Sequence, residues 1–249
     1  MGFGLSLPPM QNFYTPSEHF IGGRAILTGD ERHHAARVCR VRIGDRIGVT
    51  DGRGRRMEAC VEEIDRTNLV ARFVRDLSGQ GEPASDIALA LALIKPARFE
   101  TAVEKCTELG VRRFIPLMVK RCERESARLN PERLRRIALE SAKQSGRSWI
   151  PEIESPAGLE SVCRREGLRF AALQEAQEEA VSGVIREHPR ENITLLIGPE
   201  GDFTPEERSI MTQSGVKPIS LGGLTLRAET AAIATTALVA AALRSIHEI

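Results

Sequence analysis

Two glycine-containing turns carry most of the chemistry open to this 249-residue sequence. The first, Leu195-Leu196-Ile197-Gly198-Pro199-Glu200-Gly201-Asp202-Phe203-Thr204-Pro205-Glu206-Glu207, reads as an apolar strand, a tight loop and a capped helix. In an open α/β sheet, ligands bind at the carboxyl ends of strands, where glycine lets the backbone approach and loop N–H groups point outward. No Gly-Lys-Ser/Thr follows, and Glu200 would repel phosphate, so the loop is no phosphate cradle; it suits a neutral or cationic ligand. The second turn, Ser220-Leu221-Gly222-Gly223-Leu224-Thr225-Leu226-Arg227-Ala228-Glu229-Thr230-Ala231, again joins a strand to a helix. It sets Arg227, Glu229 and Thr230 at the mouth of an Ala-rich helix, where polar groups can orient a ligand and a substrate. Alone, either turn could simply reverse the chain, and Glu229 could serve only the helix macrodipole.

Turns of this kind need strands alternating with helices, and the sequence beyond residue 83 supplies them. An apolar run over 87–94 precedes a helix over 101–109 stopped by Gly110, then a strand over 113–119. Asn130 as N-cap and Pro131 in the first turn start a helix that reaches Ser145. Strands follow at 169–173, 193–197 and 218–221, with a capping box at Thr204-Pro205-Glu206-Glu207 and a final helix over 229–247. This alternation predicts an α/β fold with a mostly parallel sheet and helices on both faces. The earlier part differs: strands at 25–28, 46–50, 55–64 and 69–74, the hairpin turn Asp51-Gly52 and one helix over 30–39 predict a compact β-barrel module. Leu77-Ser78-Gly79-Gln80-Gly81-Glu82-Pro83 is the linker, giving domains 1–78 and 79–249.

The 35 basic and 34 acidic residues exclude a uniformly basic tail protein but not a nucleic acid partner. Residues 112–147 carry 11 basic and 4 acidic side chains, whereas 148–249 carry 9 and 15. Thirty of the basic residues are arginine, whose planar donors suit phosphate and base edges. No apolar run is long enough to cross a bilayer and the start lacks the order of a signal peptide, so the expectation is a soluble cytoplasmic protein with no membrane partner. Five scattered cysteines without a Cys-x-x-Cys pair suggest neither disulfides nor zinc. His33 and His34 are adjacent on a helix and point different ways, so no metal is expected.

Gly198-Pro199-Glu200-Gly201 together with Leu221-Gly222-x-x-x-Leu226-Arg227-x-Glu229-Thr230-Ala231 resembles the SPOUT superfamily of S-adenosylmethionine-dependent RNA methyltransferases. More narrowly, the sequence resembles the bacterial family that methylates N3 of one uridine in 16S ribosomal RNA. The resemblance continues in Lys95-x-x-Arg98-x-Glu100, in Lys105-x-Thr107-Glu108-Leu109-Gly110-Val111 and in Gln144-Ser145-Gly146-Arg147. It reaches Asn12-Phe13-Tyr14 and His34-x-x-Arg37-Val38-x-Arg40, followed by Gly44-Asp45 and Asp51-Gly52. Four positions depart from the family pattern. Asp202 stands where a second glycine is usual, which puts the loop's access to positive φ in question. Ala228 stands where threonine is common, Leu224 where a basic or other residue is common, and Asn12 in place of a frequent arginine.

What the resemblance implies is a trefoil-knotted SPOUT domain preceded by a PUA-like RNA-binding barrel, in a homodimer with the active site near the subunit interface. The implied cofactor is S-adenosyl-L-methionine, held by Leu196, Ile197, Gly198, Pro199, Glu200, Gly201, Ser220, Leu221, Gly222, Leu226, Thr230 and Ala231. The implied partner is 16S rRNA, within a small-subunit particle. Arg227 is expected to stabilise the uridine as its N3 proton leaves, and Glu229 to act as base, orienter or structural cap. RNA is expected at Arg24, Arg37 and Arg40 of the small module and at Lys95, Arg98, Arg121, Arg124 and Arg147 of the large one. The alternative is a catalytically inactive SPOUT/PUA-like protein that binds RNA without methylating it.

Overall fold

A computed structural model describes residues 10–122, 129–173 and 181–247. The described chain forms two compact units, one of residues up to Glu82 together with Ala142–Ile150, the other of Pro83–Ser141 and the chain from Pro151 onward. The sequence placed the boundary after residue 78 and expected no return of the chain to the first unit. Both differences have a hydrogen-bonding cause, given below.

The first unit contains β1 (Asn12–Tyr14), β2 (Phe20–Ile21), β3 (Arg24–Thr28), α1 (Gly29–His33, continued by a π-helical turn over His34–Val38), β4 (Arg46–Thr50), β5 (Arg56–Ile64) and β6 (Asn68–Asp76). Among the described residues they form a six-stranded sheet in the order β1-β4-β5-β6-β3-β2. Only the β1–β4 pairing is parallel. Alternate residues turn inward, so that Ala25 and Leu27, Met57, Ala59 and Val61, and Leu69 and Ala71 join Phe13, Ile47 and Val49 in one core. The expected module is thus a half-barrel whose open edges are β1 and β2.

The segment Ala142–Ile150 completes this unit by main-chain pairing with the turn between β4 and β5. Gly54 N donates to Ser148 O at 2.9 Å and Ile150 N to Gly52 O at 3.0 Å. Behind it, the Glu82 carboxylate accepts from Arg147 Nη2 at 2.7 Å, from Ser148 N at 2.8 Å and from Trp149 N at 3.2 Å. Glu82 therefore belongs with the first unit, because its carboxylate is buried there and satisfied there.

The second unit contains β7 (Ile87–Ala92), α2 (Pro96–Glu108), β8 (Val111–Met118), α3 (Pro131–Ser145, whose last turn belongs to the first unit), β9 (Glu152–Ile153), β10 (Ala157–Gly158), α4 (Leu159–Cys163), β11 (Leu168–Ala172), α5 (Val181–Glu187), β12 (Ile193–Ile197), α6 (Pro205–Gln213), β13 (Lys217–Ile219) and α7 (Ala228–His247). Its strands pair in parallel in the order β10-β8-β7-β12-β11-β13, with β9 also on β8. β7 and β12 are buried along their whole length, as parallel strands covered on both faces must be. Ile87, Leu89 and Leu91 face a core shared with Phe99 and Val103 of α2, Ile185 of α5 and Ala232 and Val239 of α7. Ala88 and Ala90 face the other side, against Leu159 and Val162 of α4 and Met211 of α6. Helices on both faces of a parallel sheet are what the sequence predicted.

Two differences are local. The helix expected from 101 begins at Pro96, which occupies the first turn, where its missing N–H is no loss. The strand expected over 218–221 ends at Ile219, which frees Ser220 and Leu221 for the loop.

Candidate functional site

The register of three neighbouring strands builds the floor of the site. Ala172, the last residue of β11, pairs with Ile197 at the end of β12 on one side and with Ile219 at the end of β13 on the other. The loops after β12 and β13 therefore leave the sheet side by side, at its carboxyl edge. Between them lies a cavity of about 520 Å³, floored by Ala172, Leu173 and Ile197. Gly198 to Asp202 and Arg208 form one wall; Leu221, Gly222, Leu224 to Ala228 and Ala231 form the other. A volume of this size lies in the range of small-molecule sites, about 300–1,000 Å³.

Each loop is fixed from outside the cavity. In the first, Asp202 N donates to Pro199 O at 3.0 Å, and Gly201 and Asp202 both take positive φ, 98° and 61°. The chain then enters α6 through a complete capping box: Glu207 N donates to Thr204 Oγ1 at 3.3 Å and Thr204 N to Glu207 Oε2 at 2.8 Å. Glu207 Oε1 also accepts from Lys120 N at 2.7 Å, and Arg121 Nη1 donates to Gly201 O. In the second loop Gly222 N donates to Ser220 Oγ at 3.3 Å. Gly222 has φ 92° with open space where a side chain would begin, so the cavity wall here is bare main chain. Leu224 beside it is 81% exposed.

A guanidinium ties the two loops to the start of α2. Arg98 Nη1 pairs with Glu200 Oε1, and Arg98 Nε lies 3.7 Å from Glu229 Oε1. Glu229 is largely buried, and its Oε2 has no hydrogen-bond partner among the described residues. Arg227 is exposed on the cavity wall.

Nine of the twelve expected cofactor residues line this cavity: Ile197, Gly198, Pro199, Glu200, Gly201, Leu221, Gly222, Leu226 and Ala231. Leu196 does not. Strand alternation turns it away from Ile197 into the core with Ala88 and Phe203. Ser220 serves the turn itself, and Thr230 points outward from α7. The sequence missed Ala172 and Leu173, because nothing in a short apolar strand announces which neighbours its end will meet. It also missed Arg208, which a capped helix brings back over the loop.

The expected RNA residues divide. Arg24, Arg37 and Arg40 are exposed on the first unit, Arg24 within 3.1 Å of Glu62; Lys95 and Arg121 are exposed on the second. Arg124 lies outside the described residues. Arg147 is a correction: it is 6% exposed and paired with Glu82, itself 7% exposed, so it is interior structure, not surface. Arg98 is part-exposed and paired with Glu200, with Glu229 at 3.7 Å. Asp202 takes the positive φ that its side chain was expected to resist; its Oδ1 accepts from Phe203 N at 2.7 Å, the local hydrogen bonding that makes this conformation tolerable for aspartate. Asn12 spans Arg56 Nη2 at 3.0 Å and Met10 O at 3.1 Å.

Fold and site together define a class. Residues 81–240 match the family model of the RNA methyltransferase domain, and residues 27–74 that of the RNA methyltransferase PUA domain. The ribosomal RNA small subunit methyltransferase E of Synechocystis sp. is 32% identical over 233 residues, spanning 92% of this chain and 76% of that protein. The structure of a ribosomal RNA small subunit methyltransferase E from Neisseria gonorrhoeae bound to S-adenosyl methionine superposes with a TM-score of 0.78 at 26% identity, over 92% of this chain and 95% of that one. A methyltransferase from Legionella pneumophila in complex with bound SAM superposes with a TM-score of 0.75 at 29% identity, over 94% and 98%. The chain belongs to the ribosomal RNA small subunit methyltransferase E family.

Proposed function

We propose that this protein methylates N3 of a uridine in 16S ribosomal RNA, with S-adenosyl-L-methionine as donor. The observation that carries the reading is the convergence of two loops, from β12 and β13, on one cavity with Arg227 in its wall. The residues present fit the donor. Bare main chain at Gly222 and apolar surface at Ile197, Leu221 and Leu226 suit a nucleoside and a thioether stem respectively.

When bound, S-adenosyl-L-methionine supplies a methyl group already activated on a sulfonium. The chain's own task is then to position the uracil and to favour loss of its proton, and positioning can lower a barrier by up to about 7–11 kcal/mol in well-oriented systems. Arg227 supplies a cation on the cavity wall that favours the anion formed as the N3 proton leaves. Glu229, absent from the cavity lining and held against Arg98, acts as the orienter that keeps Arg98 and Glu200 in register. Arg24, Arg37, Arg40, Lys95 and Arg121 hold the RNA backbone, which makes binding salt-sensitive. The substrate is the rRNA within a small-subunit particle, in the cytoplasm; no helix among the described residues is long and apolar enough to cross a membrane.

The protein acts as a homodimer whose interface includes the outward face of α7, where Thr230, Ala234, Ala237, Leu238, Ala241 and Ser245 recur at helical spacing and Leu238 is 42% exposed. Mass mapping of 16S nucleosides from a strain lacking this protein tests the reaction. Loss of one N3-methyluridine is expected; retention of every one refutes the proposal.

A further inference from the structure

The chain between α1 and β4 of the first unit runs Arg37-Val38-Cys39-Arg40-Val41-Arg42-Ile43-Gly44-Asp45. Val41 turns into the core of the half-barrel, whereas Val38 and Ile43 stand 63% and 67% exposed. A single exposed apolar side chain needs no explanation. These two share a short loop with three exposed arginines, Arg37, Arg40 and Arg42, whose side chains have no partner among the described residues. Residues 33–43 contain no carboxylate. The loop is also held in place. Cys39 N donates to His34 O at 2.9 Å and Val41 N to Ala35 O at 3.0 Å, which folds it back on the π-helical turn. Gly44 N donates to Val61 O at 2.8 Å and Arg42 N to Asp45 Oδ2 at 2.7 Å, which ties its exit to β5. Within it Arg40 takes φ 57°, a conformation that non-glycine residues seldom adopt. π-helical turns and backbone outliers both concentrate at functional sites.

We infer that this loop reads unstacked bases of a single-stranded RNA segment, with Val38 and Ile43 packed against base faces and Arg37, Arg40 and Arg42 on the phosphates alongside. The inference rests on the RNA substrate proposed above and deepens it, since that reading gave Arg37 and Arg40 to the backbone alone. Isoleucine and other apolar side chains can insert between bases and hold a step open. β-Branched side chains have few rotamers, so ordering them on a ligand costs little entropy. Bases in a duplex are stacked on one another, whereas those of loops, bulges and ends can be splayed onto a protein surface. Cations flanking apolar side chains thus complement phosphates flanking apolar base faces. A second copy of this chain meeting the loop through its own matching loop would set arginines against arginines.

Anisotropy titration of the full chain with a mixed-sequence RNA oligonucleotide, single-stranded and annealed to its complement, tests this. The double variant Val38→Ser with Ile43→Ser is expected to weaken single-stranded binding by about tenfold or more, the scale of burying two such side chains. Its duplex affinity and its salt dependence should match the parent's. Arg42→Gln is expected to weaken both forms and, on the single strand, to make the slope of log affinity against log salt shallower by about 0.7, the mark of one lost phosphate contact. Arg40→Gly removes a charge while fitting the left-handed backbone without strain, and should reproduce the Arg42→Gln pattern. Unchanged single-strand affinity in the double variant overturns the inference, since the apolar pair then serves some other contact. So does an equal loss on both RNA forms in a double variant that melts like the parent, or a salt slope that neither arginine variant alters. A parent protein that binds neither RNA overturns the RNA reading itself.

Discussion

Arg227 and Glu229 stand two residues apart at the start of one helix and differ in what surrounds them. Arg227 faces the cavity, whereas Glu229 is held behind it against Arg98. Arg227→Ala is therefore expected to keep donor binding and lower the methylation rate by about 100-fold or more, the usual cost of removing one preorganised charge partner. Glu229→Gln keeps the shape but not the charge facing Arg98, and should weaken donor binding more than it slows turnover. Titration and single-turnover methylation, measured separately, check both; normal binding with normal turnover removes either residue from the site. The motif containing Arg98 was visible in the sequence, but its partners were not. Glu200 and Glu229 come from far along the chain, and only the meeting of α2, the β12 loop and α7 makes them neighbours of this arginine. The same limit hid the burial of Arg147.

Elements with strong local grammar were legible: the capping box of α6, the Asn130–Pro131 start of α3, and the apolar runs of β7 and β12. Short ones were not. β9 and β10 have two residues each and α4 five, too few to show any period. One turn makes a quantitative statement about pH. Between β5 and β6 the Asp65 carboxylate accepts from Asn68 N at 2.7 Å, from Thr67 N at 2.6 Å and from Thr67 Oγ1 at 3.0 Å. Led by the Asn68 main-chain bond, these contacts pull its pKa from 3.8 down to about 2. A folded-state pKa below the unfolded one means that the stabilisation is complete above the unfolded value and is lost as the pH falls through the folded one. Asp65→Ala is thus expected to melt lower than the parent in neutral buffer, with the gap closing as the pH drops from 3.8 toward about 2. A gap independent of pH would show that the carboxylate charge does not hold this turn.

At the scale of the molecule, the division into two kinds of sheet was readable from the change of pattern near residue 80, because period-two strands and strand–helix alternation leave different imprints. The return of Ala142–Ile150 to the first unit was not, since its main-chain bonds to Gly52 and Gly54 and the Glu82–Arg147 pair join residues far apart along the chain. Arg147→Ala leaves the Glu82 carboxylate buried without its cation and is expected to cost about 3–5 kcal/mol in urea unfolding. A change within experimental error would mean that the pair is incidental. Leu238→Glu places a charge on the outward face of α7 and is expected to convert a dimer to a monomer in sedimentation. A parent that sediments as a monomer would refute the proposed interface instead.

The discontinuity of the first unit also sets an order of events during translation. Its strands are made early, but the segment that pairs with its β4–β5 turn and buries Glu82 follows only after the first strands of the parallel sheet have been synthesised. At about 5–20 residues per second, that interval lasts roughly 3–14 s. Until it ends, the half-barrel lacks both the arginine that pairs with Glu82 and the segment that pairs with its β4–β5 turn, and it is completed while most of the second unit is still to be made.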